Sequence, residues 1–215
     1  MSAIISSKEL ERKAFRTTFQ DGLWDIYLGM LLLIMGAGIS IARMTSLPPT
    51  STNILLAVFA ITVMSGFFLG KKYITVPRLG SVKFGPARRT KQKKVTLLLS
   101  LSAMVGLAVL VSFGYIRRIE DVAPWVIPFV LFGINSVVVF SLGAYYLDYT
   151  RAYLYGWCYA LAFPVGIFLQ NHTDLGFLLS YLFFSAIMLV PGVVLLIRFL
   201  RDYPVVVNES GEALE

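Results

Sequence analysis

Six apolar runs take up most of the chain and limit its fold more than any other feature. They read approximately as Gly22–Ala42, Asn53–Leu69, Val95–Ile116, Pro124–Leu147, Ala152–Leu169 and Leu175–Ile197. Only the first contains a charged residue, Asp25. Runs of about 18 or more apolar residues match the ~30 Å hydrocarbon core of a bilayer. The chain is 57% hydrophobic and 14% charged, where soluble domains average about 45–50% and 25%. The intervening stretches are too short to build an ordinary soluble domain. The expected fold class is therefore an all-α polytopic membrane protein, a six-transmembrane-helix bundle over 21–200. Before it comes an amphipathic segment over 1–20, within it a basic loop over 70–94, and after it a tail over 201–215. Asp148, Tyr149, Thr150 and Arg151 alone join the fourth and fifth runs, which suits a tight helical hairpin; fusing or re-entering one of these two gives five spans instead. The first run is longer than a signal-peptide core and follows Glu9, Glu11 and Asp21, so it reads as a retained helix.

Orientation follows from Lys and Arg, which cytosolic loops retain during insertion. With the amino terminus inside, the inner segments hold Lys8, Arg12, Lys13 and Arg16, the loop cations Lys71, Lys72, Arg78, Lys83, Arg88, Arg89, Lys91, Lys93 and Lys94, and also Arg151, Arg198 and Arg201. The outer side keeps Arg43, Arg117 and Arg118. Both termini are expected in the cytosol, and the location is an integral plasma (inner) membrane.

Lipid gives helices no hydrophobic reason to associate, so small residues that allow close backbone approach matter. Gly22, Gly29 and Gly36 recur every seven residues on the first run. Thr62, Gly66 and Gly70 mark the second, Ser102 and Gly106 the third, and Gly156 with Ala160 the fifth. These predict a compact bundle, and a leftover stripe is compatible with a homo-oligomer. Pro164 with Gly166, and Pro191 with Gly192, predict kinks in the last two helices.

Asn135 lies near the middle of the fourth run, where an amide is costly in lipid. It reads either as interhelical glue or as a contact for a ligand or ion, with Ser100, Ser102, Ser136 and Ser141 as companions. Asp25 sits in the first turn of the first helix, one turn beyond Asp21, with Arg151 or Arg16 as the expected cation. Asn135, Asp25, Arg151 and Tyr149 form the candidate intramembrane polar set. Tyr145, Tyr146, Tyr149, Tyr153, Tyr155, Trp157 and Tyr159 crowd the turn between the fourth and fifth runs, as an interfacial aromatic belt or an aromatic-lined pocket.

The loop from Lys71 to Lys94 carries nine basic residues and no acidic one. Sorting during insertion explains part of that charge, and attraction to anionic inner-leaflet lipid, about 1 kcal/mol per basic residue near the surface, is the expected binding consequence. Its nine cations are the candidate lipid- or partner-binding residues. Partial alternation over Tyr73–Phe84 around Pro77-Arg78-Leu79-Gly80-Ser81 predicts a small cytosolic β-hairpin. Nucleic acid is a poor partner because no recognition fold accompanies the charge. Before the first run, Ser6-x-x-Glu9 matches a capping box, and Leu10, Ala14, Thr18 and Phe19 follow at helical spacing, which predicts an interfacial amphipathic helix.

Phe19-Gln20-Asp21-Gly22-Leu23-Trp24-Asp25 and Val76-Pro77-Arg78-Leu79-Gly80-Ser81-Val82-Lys83-Phe84 resemble patterns in uncharacterised prokaryotic multi-pass membrane proteins. The likeness covers about the first 95 residues; it implies a prokaryotic plasma-membrane location and attaches no activity.

One cysteine, Cys158, and one histidine, His172, exclude an internal disulfide and disfavour zinc and haem sites, so no metal or cofactor is expected. No H-E-x-x-H, nucleotide-binding glycine loop or acidic metal cluster occurs, and the chain is expected not to be an enzyme. The expected function is a non-enzymatic module that organises anionic lipid or protein partners through its basic cytosolic face. The alternative is a small transporter or channel with a polar site near Asn135.

Overall fold

The computed structural model describes residues 19–45, 48–79, 90–91, 93–102, 104 and 126–204. Among them every regular element is helical and there is no strand. In chain order these are α1 (Leu23–Met44), α2 (Pro49–Gly70), a π-helical turn (Lys71–Thr75), α3 (Val76–Leu79), α4 (helical residues 93–102), α5 (Val126–Leu147), α6 (Arg151–Gln170) and α7 (Gly176–Asp202). Among the described residues, four helices are long and apolar enough to cross a bilayer: Thr50–Arg78, Phe129–Leu147, Arg151–Gln170 and Gly176–Asp202. A shorter apolar helix covers Leu23–Gly38.

The hairpin expected over Tyr73–Phe84 is corrected as far as Leu79. Residues 71–79 continue the helix of α2 through the π-turn, and 80–84 lie outside the described residues. The β-branched run Ile74-Thr75-Val76 mimics a strand in sequence, but helix propagates cheaply from an existing span. Pro77 sets the local form. It has no N–H for the Tyr73 carbonyl, and its ring would crowd that carbonyl in an α-helix. The Val76 N–H donates instead to the Lys71 carbonyl, five residues back, which widens the turn. The amphipathic segment before Phe19, the tail after Pro204 and most of the third run also lie outside the described residues.

The chain divides into two compact units, one drawn from Met1–Lys83 with Phe177–Glu215, the other from Phe84–Gly176. In the first unit, α1 runs antiparallel to both α2 and α7. Leu23 lies against Gly70 and Gly38 against Leu56, at opposite ends of the α1–α2 pair. The heptad glycines of α1 face α7: a Cβ on Gly22 would overlap the Gly192 carbonyl, one on Gly29 would lie 2.8 Å from Leu189, and one on Gly36 would overlap Tyr181. This is the close approach that small residues permit in lipid. Leu32, Tyr181, Ser185 and Met188 are buried on these two helices. By contrast, Gly66 on α2 faces open space.

In the second unit, α5 and α6 form the expected tight hairpin, with Arg151 already in α6. Asp148 turns the chain in the left-handed region (φ 54°), which Asp tolerates better than most residues, and the Tyr149 N–H closes onto the Ala144 carbonyl at 3.0 Å. Gly156 packs against Phe140, Val137 and the Ser136 carbonyl, and Ala160 against Gly133. Ser40, Thr62, Ser100 and Ser136 donate to the carbonyl four residues back in their own helices, and Thr45, just after α1, donates to the Ile41 carbonyl. That satisfies a hydroxyl where water is scarce.

Candidate functional site

The amino-terminal end of α1, the carboxy-terminal end of α2 and the Gly192 region of α7 meet at one end of the first unit. At this meeting point Asp21 is fully buried. Gly22, in the left-handed region (φ 74°), follows it, so the chain turns sharply into α1. Asp21 Oδ1 accepts the Leu23 N–H at 3.2 Å, an Asx cap on the new helix. Its Oδ2 accepts from Lys71 Nζ and from Thr75 Oγ1, both at 2.6 Å. Lys71 and Thr75 come from the π-turn, four residues apart and on one side of it. Three donors converge on this one carboxylate, which clasps the start of α1 to the end of α2.

Beside the clasp, aromatic rings gather around Phe67. Phe67 lies 4.6 Å from Trp24 and 4.8 Å from Tyr27, Phe19 stacks on Trp24 at 5.9 Å, and Lys71 Nζ stands 5.9 Å from the Phe67 centroid. The Lys71 side chain keeps 21% exposure. Asp25, also fully buried, lies one turn further on. A Cβ on Gly192 would come within 2.9 Å of its Cβ, so α7 closes over it with backbone alone.

The structure distributes the sequence-predicted residues unevenly. Lys71, counted among the lipid-binding cations, turns inward to Asp21. Lys72 is exposed, with its ammonium 5.3 Å from the Tyr73 ring. Arg78 is half-buried and Nη1 donates to the Ile74 carbonyl at 3.0 Å. Lys91, Lys93 and Lys94 are exposed, and Lys94 Nζ stands 5.7 Å over the Tyr146 ring. Lys83, Arg88 and Arg89 lie outside the described residues, as does Arg16. Arg151 stacks over Tyr149 at 5.2 Å in the second unit. Asn135 Nδ2 donates to Ser102 Oγ at 2.9 Å, joining α5 to α4. The tyrosine-rich turn splits by helical face. Tyr149, Tyr155 and Tyr159 are buried, while Tyr145, Tyr153 and Trp157 are exposed.

Sequence reasoning missed the pairing of Asp21 with Lys71 and Thr75. The available signal was position: a carboxylate just before one apolar run and an ammonium just after the next come level when the two runs form a hairpin. Comparison with protein-family models, curated proteins and solved structures finds no match. Among the described residues no group of three or more His, Cys, Asp or Glu is arranged to hold a metal ion.

Proposed function

We propose that the chain is a six-span plasma-membrane protein with both termini in the cytosol, and that it organises anionic lipid, without catalysis, through its basic cytosolic face. The observation that carries this reading is how the loop cations divide. One ammonium, Lys71, is spent internally to clasp α1 to α2, whereas Lys72, Lys91, Lys93 and Lys94 stand exposed at the ends of apolar helices. Exposed cations at that level meet lipid phosphates, and each adds about 1 kcal/mol of attraction. The antiparallel pairing of α1 with α7 supports an even number of crossings, and the excess of Lys and Arg in the second loop supports its cytosolic side. The likeness of the first-helix start and the second loop to prokaryotic membrane proteins fits the same location.

The transport reading draws on Asn135. Its carboxamide hydrogen-bonds Ser102 across two helices, the role of structural glue worth about 1 kcal/mol, and this favours the lipid reading.

The test is the lipid shell of the wild-type protein. Reconstituted in mixed phosphatidylglycerol–phosphatidylcholine bilayers and extracted gently, the protein is expected to retain phosphatidylglycerol above its bulk fraction. That enrichment should fall as salt rises, because surface attraction is screened over about 10 Å at 0.1 M. A retained shell that mirrors the bulk mixture at low salt contradicts the reading.

A further inference from the structure

We infer that the second unit carries a discrete site for an anionic phospholipid, built where the start of α4 meets the end of α5; this rests on the lipid reading above. The loop cations and the tyrosine-rich turn are separate features in sequence, more than 50 residues apart, and the fold brings them together. Lys94 Nζ lies 5.7 Å over the Tyr146 ring, and Tyr146 packs edge-to-face on Tyr145 at 5.3 Å. Tyr145 is 67% exposed, and Lys91 and Lys93 are exposed beside Lys94 in sequence. Ammonium donors thus stand level with tyrosines that close a membrane-length helix. Headgroup phosphates occupy that depth, and tyrosine is enriched there.

The surface below the lysines selects the ligand. Leu97, Leu101 and Met104 follow Lys93 at four, eight and eleven residues, so they share its face of the helix. They are exposed by 61%, 52% and 65%. A charged group above an apolar stripe matches an amphiphile with an anionic head and acyl chains. These residues belong to the third apolar run, so a soluble phosphate or an acidic peptide would leave them to bulk lipid, whereas a bound phospholipid meets the lysines and the stripe together. Lysine ammoniums and a tyrosine hydroxyl supply donors to a phosphodiester. At about 1 kcal/mol per basic residue close to the surface, each lysine accounts for about a 5-fold preference for the anionic lipid.

The experiment compares retained phosphatidylglycerol against phosphatidylcholine for reconstituted full-length protein, by native mass spectrometry of the extracted complex. Three proteins are needed: the wild type, a triple variant Lys91→Gln, Lys93→Gln and Lys94→Gln, and a control Lys72→Gln with Arg78→Gln in the first unit. The triple variant is expected to lose most of the preference, at least about 5-fold, and the control to keep it. Tyr146→Leu should weaken it in the same direction with every charge intact. If the control loses as much as the triple variant, or the triple variant keeps the preference, the discrete site is overturned while the lipid reading stands. If the wild type has no preference, the lipid reading itself falls. Competition by soluble glycerol phosphate as effective as that by phosphatidylglycerol would also overturn the site, because the apolar stripe would then contribute nothing.

Discussion

Lys71→Met is expected to lower the thermal midpoint of the detergent-solubilised protein by roughly 6–12 °C. The variant leaves the fully buried Asp21 carboxylate with only the Leu23 N–H and the Thr75 hydroxyl as donors. Removing one partner of a buried ion pair costs ~3–5 kcal/mol, mostly because the remaining charge is stranded. Lys71 is about a fifth exposed, so the lower end applies, and about 3 kcal/mol converts to that shift for a chain of this size. Asp21→Asn strands the ammonium instead and should cost less, since Lys71 has some access to solvent. The double variant Asp21→Asn with Lys71→Met should be more stable than the sum of the single losses predicts, with a coupling of at least about 1 kcal/mol. Additive losses, or a wild-type midpoint for Lys71→Met, would mean that the clasp does not hold the two helix ends together.

The second large effect concerns two glycines that look alike in sequence. Gly22→Ala meets two penalties. Its φ of 74° is a conformation that costs an L-residue ~1–2 kcal/mol, and its new methyl would overlap the Gly192 carbonyl, a backbone atom with little room to move. Overpacking of this kind adds ~1–3 kcal/mol. A total of about 3 kcal/mol should cut the yield of folded, monodisperse protein sharply. Gly66→Ala, with nothing within 4 Å of the new methyl, removes a flexible residue from a helix interior and should leave yield unchanged or slightly raised. Equal damage from the two substitutions would contradict the packing of α1 against α7.

Bilayer thickness made the long helices legible, because few soluble folds tolerate runs such as Leu175–Ile197. The glycine seam was legible as a face. Its partner was not, since a seven-residue period at Gly22, Gly29 and Gly36 says which side of α1 is narrow but not which helix fills it. That helix proves to be α7, near the other end of the chain. The tyrosine-rich turn was legible in composition only. Along α6, burial separates Tyr155 and Tyr159 from Tyr153 and Trp157 by helical phase, which a residue count cannot resolve. The expected hairpin failed for a definite reason. Ile74, Thr75 and Val76 have strand propensity, yet they continue a helix already formed, and Asp21 holds Thr75 from outside that helix. Lys71 departs from expectation for a related reason: charge in a loop suggests solvent, but its acceptor Asp21 lies just before α1.

The proposed orientation, with the second loop and both ends of the chain in the cytosol, is open to a direct labelling test. Cys158 is the chain's single cysteine and is buried, so Cys158→Ser gives a clean background for single-cysteine probes. His172, between α6 and α7, and Arg201, near the end of α7, are both exposed, as is Lys91 before α4. Each is replaced in turn by cysteine and treated with a membrane-impermeant maleimide in intact and in permeabilised cells. The expected result is labelling at 172 in intact cells, and at 91 and 201 only after permeabilisation. Labelling of 91 or 201 from outside, or protection of 172 until the membrane is opened, would contradict it.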